Sequence, residues 1–318
     1  MTVLVLTHHS DITADLVVVA LDQLDVPVFR VDPADIGSGT DLDASFTGTV
    51  WEGYLRVGSR TVDLADIRSV YYRRPTAWTG PEGMEPAEVA WAAEEVRAGF
   101  GGVLMSLDRL WINHPRLAMW ASNKPVQLAT AAACGFDVPT TLVTNVPDSA
   151  IEFASTAETI IYKTLSGSPR VQGAAIYTTR LDQAAVTEKA ESITYTLHQF
   201  QHEIPKAFEV RLTVVGTELF AARIDAGSEE TRLDWRVDYD ALSWSRIEVP
   251  AQITAAVRTF MNRFELEFST FDFAVSPSNA WFLFEANING QWGFVEQHTK
   301  APIAAAIARR LAEGKPTA

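Results

Sequence analysis

The chain has 318 residues, of which 47% are hydrophobic and 21% charged, with a formal net charge of −14. That is an ordinary globular composition with length for two or three lobes, and its acidity disfavours general binding to nucleic acid or anionic membrane. No apolar run reaches the roughly 18 residues of a membrane span, and the single cysteine, Cys134, excludes an internal disulfide framework.

Thr2–Leu6 is too short for a signal-peptide core and lacks a basic flank, so it reads as a first strand of a cytoplasmic protein. VLVL, the helical pattern DITADLVVVALDQL with Asp11 as N-cap, and VPVFRVD make a β-α-β opening. Asp32 ends the second strand, where a dinucleotide fold would hold a ribose. The turn THHSD, however, carries no glycine fingerprint, and NAD binding is rejected. Residues 46–64 read as short strands with glycine turns, SVYYRRP as a strand closed by Pro75, and residues 85–107 as a long helix. Together these form an α/β lobe over residues 1–115.

A central lobe, 116–194, opens on an alanine-rich helix from Ala121 to Gly135. It continues with the strand FDVPTTLVTN, a short helix at 148–155, the strand TIIYKTL, the small-residue loop SGSPRVQGA and the strand AIYTT. Lys163 stands at a strand end before that loop, where Gly167 and Gly173 let the backbone close over an anion. Strand-end lysines are also commonly just solvated. Lys124 opens a helix, an unfavourable place for a cation unless an anion lies nearby.

A third lobe, 195–318, holds the strands TYTLHQF, EVRLTVVG and ELFAARID, a helix near 251–264, a hairpin and a last helix, KAPIAAAIARRLAEG. HQFQHEIPKAF breaks a strand with an extended run that could offer backbone groups to a base edge, or be a plain loop. Glu209 and Arg211 share a strand face, and Arg223 lies on the neighbouring strand; two such arginines repel unless an anion lies between them. Arg236 in LDWR occupies a polar loop whose plain reading is surface. The hairpin, residues 268–293, is the most informative segment. Phe271, Phe273 and Val275 alternate with polar or small residues, as do Phe282 and Phe284 on the return strand. A two-residue loop at Ser278–Asn279 would set Asp272 opposite Glu285, with Asn287 on the same face. Three such oxygen donors suit Mg²⁺; the alternative is an ordinary strand pair with a polar wet face. The six histidines show no zinc spacing, and no nucleophile-elbow, Walker or kinase signature is present.

In this order, Lys124, Lys163, a glycine loop, QFQHEI, FEVRLTVVG, ELFAARID, LDWR and FDFAVSPSNAWFLFEANINGQWGFVE, with YYRRP and WINHPR upstream, resemble the ATP-grasp maturases of ribosomal peptides. The likeness is to the microviridin or graspetide type in its actinobacterial branch, and it spans nearly the whole chain. It implies an α/β ATP-grasp fold with a Rossmann-like pre-ATP-grasp lobe, and ATP and Mg²⁺ as cofactors. By that resemblance Lys124 and Lys163 bind phosphate, Gln201, His202, Glu203 and Ile204 form the adenine hinge, and Glu209 contacts the ribose. Asp272, Glu285 and Asn287 then hold Mg²⁺, Arg211 and Arg223 steady the transferred phosphoryl group, and Arg236 faces the peptide. His202 stands where the family's hinge often has an acid. The implied partner is a ribosomally made precursor peptide, leader plus core. Arg73 and Arg74 are candidate leader contacts, or members of a structural salt bridge; a homodimer is an admissible assembly. The implied reaction makes an acyl-phosphate on a peptide carboxylate and then a macrocyclic ester or amide. A ligase acting on a free amino acid or short peptide, and a non-catalytic nucleotide-binding scaffold, are the competing readings.

Overall fold

The computed structural model describes residues 1–166, 178–238 and 240–315. Gly167, Gly173 and most of AIYTT, part of the expected glycine loop and the strand after it, lie outside the described residues.

The first lobe begins with β1 (Thr2–Leu6), whose Val3, Leu4 and Val5 are fully buried, as a central parallel strand requires. The helix α1 (Ile12–Asp22) starts where sequence chemistry places it. The Asp11 carboxylate accepts the free N–H groups of Thr13 and Ala14. After β2 (Val28–Val31), the strands β3 (Thr40–Phe46), β4 (Trp51–Val57) and β5 (Arg60–Asp63) form a separate antiparallel sheet. Then come β6 (Ile67–Tyr72), α2 (Pro86–Ser106) and β7 (Leu110–Ile112), giving a four-stranded parallel sheet in the order β2-β1-β6-β7.

The alanine-rich segment is two helices, not one: α3 (Pro115–Ala121) and α4 (Lys124–Ala133). The break comes at Asn123, whose side chain caps α4 by accepting the Val126 N–H, with Pro125 in the first turn. Gly135 ends the second helix at φ +92°, as its position predicts. Next come β8 (Thr141–Thr144), α5 (Pro147–Ser155), β9 (Ile160–Lys163), β10 (Thr179–Leu181), α6 (Gln183–Glu188), α7 (Ala190–Ile193) and β11 (His198–His202). Their sheet runs β10-β9-β11-β8. Because β11 pairs with both β8 and β9, the central sheet extends to His202 and past the expected boundary at 194. Ala118, Ala121 and Ala131 of α3 and α4 pack instead into the core of the third lobe.

That lobe contains β12 (Phe208–Val215), β13 (Glu218–Ala226), α8 (Glu229–Leu233), β14 (Leu242–Arg246), α9 (Ala251–Arg263), β15 (Phe268–Val275), β16 (Trp281–Asn287), α10 (Gly293–Thr299) and α11 (Ile303–Glu313). The sheet order is β14-β13-β12-β15-β16. One face, with Val210, Leu212, Phe271 and Phe273, packs on α9. The last helix crosses back, and its Ile303, Ile307 and Leu311 join Val3, Val5 and Val17 in one core, so the first lobe is closed by the end of the chain.

The hairpin departs from its expected form in two compensating ways. Its loop is Ser276–Ala280, with Val275 opposite Trp281, rather than a two-residue turn. A bulge then falls at Phe284, between the Phe273–Leu283 and Asp272–Glu285 pairs, and restores the register. The buried residues of the return strand are therefore Trp281, Leu283 and Ala286, not Phe282 and Phe284. No helix among the described residues is long and apolar enough to cross a membrane.

Asn113 fastens the first lobe to this hairpin. Its Nδ2 donates to the carbonyls of Phe268 at 2.7 Å and Ile288 at 3.0 Å, and its Oδ1 accepts the N–H groups of Glu267 and Phe268. Asn113→Ala leaves these buried backbone groups unpaired. The expected loss is on the order of 3 kcal/mol, measured as a lower urea midpoint.

Candidate active site

Strand pairing places one polar row on the face of the third-lobe sheet opposite α9. Arg211 stands opposite Asp272, Asp272 opposite Glu285, and Thr270 opposite Asn287. Arg211 Nη1 donates to both Asp272 oxygens at 2.7 Å, and Nη2 donates to the Gln291 carbonyl at 3.0 Å. Burial, opposed by Arg211 and reinforced by Glu285, holds the Asp272 carboxyl above the usual range. For Glu285, burial is outweighed by Lys124, Arg236 and Lys163, and its carboxyl lies below the usual range.

Asp272, Glu285 and Asn287 form part of the wall of a cavity of about 550 Å³ between the central and third-lobe sheets. The same cavity is lined by Lys124, Lys163, Gln201, His202, Glu203, Ile204, Glu209 and Arg236. Thus eleven of the fifteen residues singled out from sequence meet at one place. Lys124 Nζ donates to the Thr164 carbonyl at 2.6 Å and lies 3.8 Å from Glu285. Arg236 is held in two hydrogen bonds by Asp234, with its Nη1 3.7 Å from Glu285. Lys163 sits over the Phe284 ring, 4.4 Å from its centroid. Burial lowers the Lys163 ammonium to about 8, against the pull of Glu285 and with help from Arg236, Lys124 and Lys206.

The expected hinge spans the crossing from β11 to β12, but its side chains are engaged elsewhere. His202 lies against Phe153 and hydrogen-bonds Thr156, Glu203 pairs with Arg180 and Thr159, and Gln201 donates to Thr141. Glu209 takes Lys206 at 2.6 Å; burial raises its carboxyl despite that cation. Lys206 and Phe284 line the cavity too, and sequence reasoning missed both. Lys206 was legible only as part of a loop. Period-two alternation, carried through the bulge, places Phe284 in the core.

Four residues were not brought to the cavity lining. Arg211 reaches the site through Asp272. Arg223 pairs across the strands with Val210, on the opposite face of the sheet from Arg211; it stacks on Phe208 at 3.9 Å and pairs with Asp225. The expected juxtaposition of the two arginines is therefore absent. Arg73, expected as a leader contact or a structural salt bridge, is the latter. It is 4% exposed, donates to Asp11 at 2.7 Å and bonds the Gln291 side chain. Burial would raise the Asp11 carboxyl, but Arg73, Thr7 and the Ala14 N–H outweigh it and hold it low. Arg74 is exposed on the first lobe.

The donor set fits a hard divalent cation beside phosphate: two carboxylates and an amide, each offering oxygen, with Lys124 and Arg236 beside Glu285. Among the described residues no cluster of three or more His, Cys, Asp or Glu could hold a metal alone, so remaining ligands would come from substrate and water.

The family model of the MvdD pre-ATP grasp domain matches residues 2–117. The fold is shared with a RiPP-associated ATP-grasp ligase of Chryseobacterium gregarium, solved with ADP and a leader and core peptide. The TM-score is 0.90 and identity 26%, over 98% of this chain and 97% of that one. The macrocyclase MdnC of Microcystis aeruginosa, bound to its precursor peptide MdnA, matches at TM-score 0.88 and 26% identity, over 98% of this chain and all of that one. The macrocyclase MdnB of the same organism matches at 0.80 and 29%, over 98% of each chain. No curated protein sequence matches the chain.

Removing Arg73 leaves Asp11 buried without its cation. Arg73→Ala is expected to cost about 3–5 kcal/mol, read as a lowered urea midpoint.

Proposed function

We propose, for a chain that is an ATP-grasp ligase of the ribosomal-peptide maturase type, that it activates Asp or Glu side chains of a precursor peptide as acyl-phosphates. It then closes macrocyclic esters onto Ser or Thr, or amides onto Lys. The observation that carries this reading is the pair Asp272 and Glu285, opposed on neighbouring strands in the wall of a cavity where Lys124, Lys163, Lys206 and Arg236 converge. The ligases solved with precursor peptides share this fold over nearly their full length.

ATP is the co-substrate. Ile161, Ile204 and Phe284 offer apolar surface for adenine, the 201–204 segment its edge contacts, and Glu209 a ribose contact. Lys124 and Lys163 take the phosphates. Asp272, Glu285 and Asn287 would hold Mg²⁺, which when bound supplies charge neutralisation at the phosphoryl oxygens. Arg211 orients Asp272, and Arg236, beside Glu285, is the residue assigned to the peptide.

The chemistry is a balanced pair of displacements. A peptide carboxylate oxygen attacks the γ-phosphorus, the bond to the β,γ-bridging oxygen breaks, and ADP leaves. A hydroxyl or amine of the same peptide then attacks the acyl carbon, the bond to the phosphate oxygen breaks, and the nucleophile's proton leaves with phosphate or solvent. Direct ester formation in water is uphill, so the phosphate leaving group is what drives closure. The protein's share is placement and charge neutralisation. A cytoplasmic setting supplies the ATP.

Incubation with ATP, Mg²⁺ and the precursor peptide encoded beside the gene is expected to release one ADP and remove one water mass per ring. With free amino acids also supplied, a product that gains a residue would replace this reading with ligation of a free amino acid; no ADP release with any such peptide would leave a nucleotide-binding scaffold. Asp272→Asn is expected to reduce turnover roughly 100- to 1000-fold, and near-normal turnover would refute its role. Lys163 loses its charge as pH rises through about 8, while bound phosphate favours the charged form. Metal-free ADP affinity measured by calorimetry should therefore weaken above that pH, approaching tenfold per unit, and Lys163→Arg should flatten the profile.

A further inference from the structure

Among the described residues, strand β16 is the outer strand of its sheet, and the backbone of Ala286, between Glu285 and Asn287, has no strand beside it on that side. A side chain takes the place of one. Gln127 Oε1 accepts the Ala286 N–H at 3.1 Å, and its Nε2 donates to the Ala286 carbonyl at 2.7 Å and to the Ala121 carbonyl at 2.5 Å. Gln127 is 6% exposed. Its primary amide thus reproduces both ladder bonds of a neighbouring strand residue and anchors them to the end of α3. Farther along the same edge, the Leu283 N–H donates to the Asp137 carbonyl at 2.8 Å. The stretch carrying the bulge at Phe284 is therefore pinned on both sides of it.

We infer that Gln127 is a positioning residue that fixes the direction of the Glu285 and Asn287 side chains. Successive strand side chains point to opposite faces, so a rotation of the Ala286 peptide units would swing Glu285 and Asn287 together away from Asp272. Opposed strand residues keep that spacing only while the ladder holds, and a bulge loosens the ladder at this point. The amide of Gln127 restores the constraint. Lys124, on the same helix, has its own anchor at the Thr164 carbonyl, so its phosphate contact does not depend on Gln127.

This inference rests on Asp272, Glu285 and Asn287 being the metal-holding set, and its test separates the two. ADP binding is measured by calorimetry with and without Mg²⁺, in the wild-type protein and in Gln127→Met, which keeps length and volume but cannot pair with Ala286. Mg²⁺ is expected to tighten ADP binding in the wild type. In the variant the metal-free affinity should stay within about twofold, while the tightening by Mg²⁺ falls about 10- to 100-fold, the usual effect of losing a group that orients metal ligands. Full Mg²⁺ tightening in a folded variant overturns the role of Gln127 and leaves the metal set standing. An equal loss in both arms also overturns it, in favour of a general structural role. Absence of Mg²⁺ tightening in the wild type overturns both. If Gln127→Met does not fold, Gln127→Asn, whose amide is one methylene short of Ala286, decides on the same readout.

Discussion

Two carboxylates on adjacent strands repel one another unless positive charge is built around them. In this protein that charge comes from separate parts of the chain: Arg211 from β12, Lys124 from α4, Lys163 from β9 and Arg236 from the segment after α8. Holding Asp272 and Glu285 side by side thus requires the lobes to meet. The support continues outward from Arg211, whose second nitrogen donates to the Gln291 carbonyl. The Gln291 side chain takes Thr13 and Arg73, and Arg73 takes Asp11. A carboxylate–guanidinium pair stands at each end of this line, with the neutral Gln291 between the two guanidiniums, and its far end caps α1. Close packing there requires glycine at 290, where a Cβ would stand 1.9 Å from Thr270 Oγ1 and 2.8 Å from Arg211 Nη2.

The first lobe is therefore part of the site's support although it lines none of the cavity. Its sheet is covered by the chain's last helix, and Asn113 holds the ends of the hairpin strands. The same interleaving makes α3 and α4 members of the third-lobe core although the central sheet follows them in sequence. The central sheet joins the rest through two short backbone crossings, before β8 and after β11.

The hairpin was legible because period-two alternation survives in Phe271, Phe273 and Val275, and the Asp272–Glu285 pairing followed from it. The loop was longer than its Pro-Ser-Asn chemistry implied, and the bulge at Phe284 offset the difference. A bulge leaves no periodic mark when the extra residue is itself aromatic. Arg223 is different, since a usable signal was present. Gly216 and Thr217 make a two-residue turn with Val215 opposite Glu218, and counting outward places Arg223 opposite Val210, not beside Arg211. Lys206 and Gln127 carried no signal of their own. Each acquires its role only when a distant strand arrives, and a buried glutamine in an alanine-rich helix has the same local pattern whether or not it meets a strand edge.

Several of the cavity's charges satisfy one another within the fold: Glu285 lies near Lys124 and Arg236, Lys206 is taken by Glu209, and Lys124 also donates to a carbonyl. On the proposed reading, a phosphate chain must draw the lysines away from Glu285, which leaves a buried carboxylate short of positive charge, a costly state. On the same reading a divalent cation alone would meet the opposite problem, because Asp272 is engaged by Arg211 and Glu285 lies near Lys124 and Arg236, cations that repel it. When both arrive together the exchange balances, the cation taking the carboxylates and the phosphates taking the lysines. On that reading the cations lining the cavity disfavour either ligand alone and favour the pair, which is the form in which nucleoside triphosphate enters phosphoryl transfer.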